Sequence, residues 1–202
     1  FGAGLQRRQV RARAGLAVAL APPHLATHDA GQVAALLVRG AERHDDRRDY
    51  HRTEGQGAGA NLPGVIFLGG FKSDMTGTKA VFLQDWAQAQ GRAFLRFDYS
   101  GHGVSSGDFL DGAIGDWFED ALAVLEALTE GPQVLVGSSM GGWIALQLAR
   151  AVPVRVAGLV GIAAAPDFTE DSMWQGFTED QRQDVMEKGR VELPSDYSPD
   201  PY

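Results

Sequence analysis

The sequence predicts an α/β fold in which a mostly parallel sheet carries helices on both faces. Three observations lead there. Short uninterrupted apolar runs alternate with longer stretches of helical spacing from Gly64 onward. The runs lack the in-and-out polarity of a strand with one wet face, so both of their faces are expected to be covered. Glycines stand at their ends and punctuate the chain. Strands of this kind separated by helices build a parallel sheet, and no internal repeat is visible.

Each element can be justified in turn. Tyr50 to Glu54 reads as a short edge strand, closed by the glycine-rich loop Gly55-Gln56-Gly57-Ala58-Gly59. Val65-Ile66-Phe67-Leu68 is an apolar tetrad bounded by Gly64 and by Gly69-Gly70, as expected of a buried strand. Phe82, Leu83, Trp86 and Ala87 then recur at helical spacing, with Gly91 placed to stop the helix. Ala93 to Phe97 is the next strand. Ile114, Trp117, Phe118, Ala121, Leu122, Leu125 and Leu128 form one apolar stripe of the helix after it, which Gly131-Pro132 ends. Val134 to Val136, Met140 to Ala151 and Val156 to Ile162 follow as strand, helix and strand. From Asp167 the chain turns acidic, with a helix expected over Glu179 to Lys188 and a proline-rich finish at Leu193 to Tyr202. Residues 167–202 resemble the start of a cap more than a return to the sheet.

Composition bounds the function classes. At 202 residues, 44% of them hydrophobic, the chain is ordinary globular material with enough apolar residues for one sizeable core. The absence of cysteine excludes disulfides, thiolate nucleophiles and cysteine zinc sites. A net charge of -8 disfavours a phosphate-tracking surface, so no nucleic-acid partner is expected. No apolar run reaches the roughly 18 residues of a membrane span. The charge is uneven: residues 1–60 hold nine Arg against six acids, whereas the remainder holds nine Lys or Arg against twenty. Residues 1–60 also contain no Ser, Lys, Ile or Met. Residues 1–49 are therefore set apart as an Ala/Arg/Gly-rich segment outside the fold, and 50–202 as the folded part. Arg7, Arg8, Arg11 and Arg13 with no acid before Asp29 suit a transit peptide, but the missing serines do not. The expected compartment is the cytoplasm, or the mitochondrion if that segment is a true transit peptide.

The chemistry is concentrated in Gln133 to Ala145, QVLVGSSMGGWIA, where an apolar strand breaks into Gly137-Ser138-Ser139-Met140-Gly141 and resumes as a helix. A G-x-S-x-G turn between strand and helix mounts a serine nucleophile with its hydroxyl exposed. The middle residue sits at the tip, so Ser139 is the candidate nucleophile and Ser138 the weaker one. Acyl transfer also needs N–H groups aimed at the developing oxyanion. The amide of Met140, at the start of its helix, is one candidate, and that of Phe71, after Gly69-Gly70, is the other. The loop Ser100-Gly101-His102-Gly103 is no dinucleotide loop, because its glycines fall at the wrong spacing and the helix begins only near Ile114. No residue set points to a metal. His24 and His28 lie four apart, but Leu25 occupies the place of the zincin glutamate. His44 lies beside Asp45 and Asp46, His51 on the edge strand and His102 ahead of Ser139, so none is a good general base for it.

Together GGF at 69–71, RFDYSGHG at 96–103 and GPQVLVGSSMGGW at 131–143 resemble the α/β-hydrolase superfamily. More narrowly they resemble its branch of mitochondrial palmitoyl-protein thioesterases that also cleave acyl glucuronides, with their bacterial relatives. The likeness runs from about Tyr50 to Tyr202. It implies the α/β-hydrolase fold, Ser139 as nucleophile, Phe71 and Met140 as oxyanion donors, and hydrolysis of small-molecule acyl esters or thioesters without metal or organic cofactor. In such enzymes the catalytic acid and histidine follow later strands, on the order of 60 to 100 residues beyond Tyr202. No histidine follows Ser139 here, so the chain is expected to be the N-terminal part of the catalytic domain, inactive alone. The alternatives are a non-catalytic protein of the same fold, whose elbow is a relic, and a peptidase or lactonase, since the elbow does not select the leaving group. Met173, Trp174 and Phe177 are candidates for an apolar acyl site or for ordinary cap packing.

Overall fold

Apolar strands that lack a polar face must be covered twice, and the chain does this with helices from alternate sides. A computed structural model describes residues 32–38, 46–189 and 191–193. The strands are β1 (Gln32–Val38), β2 (Asp46–Thr53), β3 (Val65–Leu68), β4 (Phe94–Phe97), β5 (Gln133–Ser138) and β6 (Val156–Ile162). The helices are α1 (Thr78–Ala89), α2 (Ile114–Leu128), α3 (Met140–Ala151) and α4 (Glu179–Lys188). The six strands form one sheet in the order β1-β2-β4-β3-β5-β6. β1 and β2 pair antiparallel, as do β2 and β4, while β3, β4, β5 and β6 run parallel.

The strand side chains divide between two cores. Val65 and Phe67 of β3, Phe94 of β4 and Val136 of β5 pack with Ala80 and Ala87 of α1 on one face. Ile66, Leu68, Leu95, Phe97 and Leu135 pack with α2 and α3 on the other, through Trp117, Val124, Leu125, Ile144 and Leu148. This period-two alternation of two buried faces is why the strands read as continuous apolar runs.

Two elements differ from the sequence expectation. β2 is no edge strand, because β1 pairs along its outer side from Gln32 opposite Arg52 to Val38 opposite Asp46. Residues 32–38 and 46–49 of the compositionally distinct segment are thus in the sheet. The remainder of that segment, with His24, His28 and His44, lies outside the described residues. The second difference is in α1, where Phe82 and Trp86 remain 69% and 40% exposed while Ala80 and Ala87 are fully buried. Small side chains let this helix sit close on the sheet, and the aromatic residues are left on its outer side, where the Arg92 guanidinium lies over Trp86. The helix does end at Gly91, which adopts a φ of 63°. The Gly91 N–H reaches Gln88 O at 3.0 Å and the Arg92 N–H reaches Ala87 O at 2.8 Å, the double bond of a Schellman stop.

The order of the parallel strands decides where a site can form. From β3 the chain crosses one face through α1 to β4 on one side, and from β5 it crosses the other face through α3 to β6 on the opposite side. β3 and β5 are neighbours, with Leu68 opposite Gly137. Their following loops therefore part at the carboxyl ends and leave a crevice, the place where ligands bind in open α/β sheets.

Candidate functional site

Ser139 stands at that crevice. It links the last residue of β5 to the first of α3, and its backbone adopts φ 52° and ψ -119°. A non-glycine residue held there is strained by about 1–3 kcal/mol, and persists only where its surroundings over-determine it. Three backbone bonds do so: Ser139 N–H donates to Ile162 O at 3.0 Å, while Ser139 O accepts from the N–H groups of Gly142 at 2.9 Å and Ala165 at 3.1 Å. The elbow is thus clamped to the end of β6 and the loop after it. Ser138, in strand β5, is buried, whereas Ser139 is half-buried at the tip.

The glycines around the elbow are dictated by space. A Cβ at Gly137 would lie 2.6 Å from Gly142 Cα, and one at Gly142 would lie 2.9 Å from Ala164 Cα. At Gly141 the obstacle is the end of β3, with Gly69 O only 2.5 Å away and Leu68 O closer still. Strand, turn and helix touch backbone to backbone, which fixes the serine against the β3 loop. A Cβ at Gly70 would lie 3.5 Å from Ser139 Cβ, so the two loops face each other across the crevice. Gly70, Phe71, Ser73, Ser138 and Ser139 line a cavity of about 290 Å³ there. Another cavity, of about 470 Å³, lies at the amino ends of β3, β4 and β5, around Gly64, Ala93 and Gln133, away from this crevice.

Met140 buries its side chain completely in the core below α3. As the first residue of the helix its N–H has no intrahelical acceptor, and it sits at the positive end of the helix dipole. Phe71 occupies the second position of a turn from Gly70 to Ser73, closed by Ser73 N–H to Gly70 O at 3.3 Å and Ser73 Oγ to the same oxygen at 2.8 Å. Lys72, third in the turn, has a φ of 56° and Phe71 has none above zero, the type II pattern with a lysine where glycine is usual.

Around Phe71 is an aromatic cluster. Its ring meets those of Phe109 at 4.9 Å, Trp117 at 5.8 Å and Phe168 at 5.9 Å, all edge to face. Phe168 in turn meets Trp143 at 5.8 Å. Trp174 and Phe177, singled out by the sequence, pair with each other at 6.1 Å. Phe168, ahead of them, is the residue of this stretch whose ring meets that of Phe71.

The loop after β4 is scaffold. The Asp98 carboxylate accepts from Met75 N–H at 2.6 Å and from Val104 N–H at 3.2 Å, and burial pushes its carboxyl above the usual range against the pull of those two bonds. Ser105 Oγ donates to Asp98 O and accepts from Asp49 N–H, both at 2.8 Å. His102 is buried, with Nε2 accepting from Lys72 N–H at 3.2 Å and Nδ1 against Ser100 O at 3.1 Å. Its link to the Phe71 turn spans thirty residues, and nothing in the local sequence signals it. His51 is buried in β2, lowered first by desolvation and then by the charge of Arg96. Both ring nitrogens of His102 are thus engaged with backbone groups of two other residues. Among the described residues no three His, Asp or Glu side chains converge as a metal site, and no helix is long and apolar enough to cross a membrane.

Comparison with known proteins places this geometry. The profile of Hydrolase_4, described as serine aminopeptidase, S33, matches residues 63–201. The mitochondrial palmitoyl-protein thioesterase ABHD10 of Rattus norvegicus is 40% identical over 153 residues, covering 76% of this chain and 50% of the relative. A crystal structure from Agrobacterium vitis S4, provisionally named a hydrolase, superposes with a TM-score of 0.78 at 39% identity, over 85% of this chain and 67% of that one. Alpha/beta hydrolase domain-containing protein 10 from mouse gives 0.69 at 37% identity, over 81% and 62%. The chain spans about half the length of the curated relatives it matches.

Proposed function

The chain belongs to the Hydrolase_4 family, with the α/β-hydrolase fold, and from that premise we propose that the full-length protein hydrolyses acyl esters or thioesters with Ser139 as nucleophile. The observation that carries this is the backbone of Ser139, held at φ 52° on a clamped turn facing the Gly70-Phe71 loop. Strain of this kind suits the presentation of a hydroxyl at the tip of a turn.

In the proposed reaction Ser139 Oγ attacks the acyl carbonyl carbon while a base takes its proton. The carbonyl oxygen becomes an oxyanion, which accepts from the N–H groups of Met140 and Phe71. The intermediate collapses with loss of the alcohol or thiol, protonated by the same base, and leaves the acyl group on Ser139. Water then attacks the acyl-enzyme by the same steps and regenerates the serine. We assign the base and its acid partner to the part of the relatives' length that this chain does not span.

Thioesters of long acyl chains are the proposed substrates. The relatives are named palmitoyl-protein thioesterases, and Phe71, Phe168 and Trp143 offer apolar rings beside the crevice. The family description as an aminopeptidase favours one second reading, peptide hydrolysis at the same serine. Full-length protein assayed in parallel on a palmitoyl thioester, a short acyl ester and an aminoacyl anilide distinguishes these. Cleavage of the anilide alone would overturn the thioesterase assignment. The relatives are also named mitochondrial, which supports that compartment over the cytoplasm. A reporter behind residues 1–49 that isolated mitochondria fail to import would contradict it.

A further inference from the structure

We propose that His102 is a positioning residue for hydrolysis, anchoring through the Lys72 N–H the turn from Gly70 to Ser73 that carries the Phe71 N–H beside the reacting carbonyl. The inference rests on the reading of Phe71 as an oxyanion donor. It begins with the hydrogen bonds. A backbone N–H can only donate, so the Lys72 N–H, 3.2 Å from Nε2, requires an unprotonated Nε2. The remaining ring proton is then on Nδ1, donated to Ser100 O at 3.1 Å. Ser100 is itself fixed, because its N–H and Oγ both donate to Asp120 Oδ2, at 2.7 and 2.8 Å. Trp117 Nε1 donates to the same Ser100 carbonyl at 3.1 Å. A neutral imidazole is therefore held from behind by a chain of bonds running to α2, and presents one lone pair to the Phe71 turn.

That lone pair has a specific task. With lysine third in the turn, the type I form, which needs no positive φ, is the usual choice; the observed form puts Lys72 at φ 56°. The two forms differ by a flip of the peptide between Phe71 and Lys72. In the observed form the Lys72 N–H donates to Nε2, so the His102 bond opposes the flip and ties the turn to the loop after β4; the Phe71 N–H lies in the preceding peptide and is held in place with the turn as a whole. The ring also packs with Phe109 at 5.1 Å and Trp117 at 5.0 Å, the same residues that hold the Phe71 side chain. Backbone and side chain of Phe71 are thus both referred to His102.

The test uses the full-length protein with His102→Phe, which keeps an aromatic ring and removes the acceptor, and His102→Gln, whose Oε1 can accept at the position of Nε2. Removing an oxyanion donor outright slows kcat about 100- to 1,000-fold, so a donor displaced with its turn in His102→Phe is expected to cost about 10- to 100-fold, with KM within about twofold. His102→Gln is expected to recover most of that loss. Hydrogen exchange at the Lys72 amide supplies a readout independent of activity, accelerated in His102→Phe and protected in the wild type and His102→Gln. Wild-type kcat and wild-type Lys72 protection in His102→Phe would overturn the proposal. Equal loss in both variants would do so as well, since it would mean that the ring only packs. If Ser139→Ala retains activity, the nucleophile reading fails instead, while the Lys72 amide still decides the role of His102.

Discussion

Gly141→Ala is the sharpest probe of how the elbow is built. Gly141 is a helical residue without a positive φ, so any demand for glycine there is a demand for space. The new Cβ would lie 2.5 Å from Gly69 O and nearer still to Leu68 O, where real Cβ atoms keep at least 3.0 Å. Relief requires the end of β3 or the start of α3 to retreat by about 1 Å, set by the nearer contact to Leu68 O. Leu68 is tied to β5 opposite Gly137, and α3 is pinned by the fully buried Met140, Ile144 and Leu148. Forced backbone shifts in a packed core cost about 1–3 kcal/mol and occasionally more, and we expect the upper end, about 3 kcal/mol. At about 2–4 °C per kcal/mol, that lowers the melting temperature by roughly 6–12 °C. Gly115→Ala is the control: a helical glycine with nothing within 4 Å of an added Cβ. It is expected to gain about 0.5–1 kcal/mol from helix propensity. Thermal unfolding followed by circular dichroism checks both. A Gly141→Ala variant melting within a degree of the wild type would refute the close-contact account of the elbow.

Two further outcomes are expected. Burial depresses the pKa of both His51 and His102, so below the unfolded value of about 6.5 the unfolded chain gains protons that the folded one resists, and stability declines as pH falls. Urea titrations at about pH 7.5 and 5.5 should show that loss, and His51→Leu should shrink it; equal stability at both values would contradict the assignment. Phe168→Ala, which removes the ring between Phe71 and Trp143, should raise KM for a palmitoyl thioester and leave a short acyl ester nearly unaffected. Equal effects on both substrates would remove Phe168 from the acyl site.

Much of the fold was legible because its signals are local. Val65–Leu68, Phe94–Phe97 and the strand, turn and helix around Ser139 announce themselves by apolar runs and bounding glycines, and each stands where expected. The buried face of α1 was half legible: Leu83 and Ala87 of the expected stripe pack on the sheet with Ala80, whereas Phe82 and Trp86 do not. Close approach favours the smaller residues, and only the tertiary structure reveals that the helix sits so near the sheet. β1 was hidden by the unusual composition around it. At the site, spacing located Ser139 and its turn, but not the bond from His102 to Lys72 or the approach of Phe168. Those depend on three loops converging at one crevice, and convergence leaves no periodicity to read.

The most direct test of the central claim is covalent. Full-length protein treated with a fluorophosphonate should gain one label, on the peptide containing Ser139, and Ser139→Ala should gain none and lose hydrolysis of the palmitoyl thioester. Labelling at Ser138, or undiminished hydrolysis by Ser139→Ala, would contradict the account.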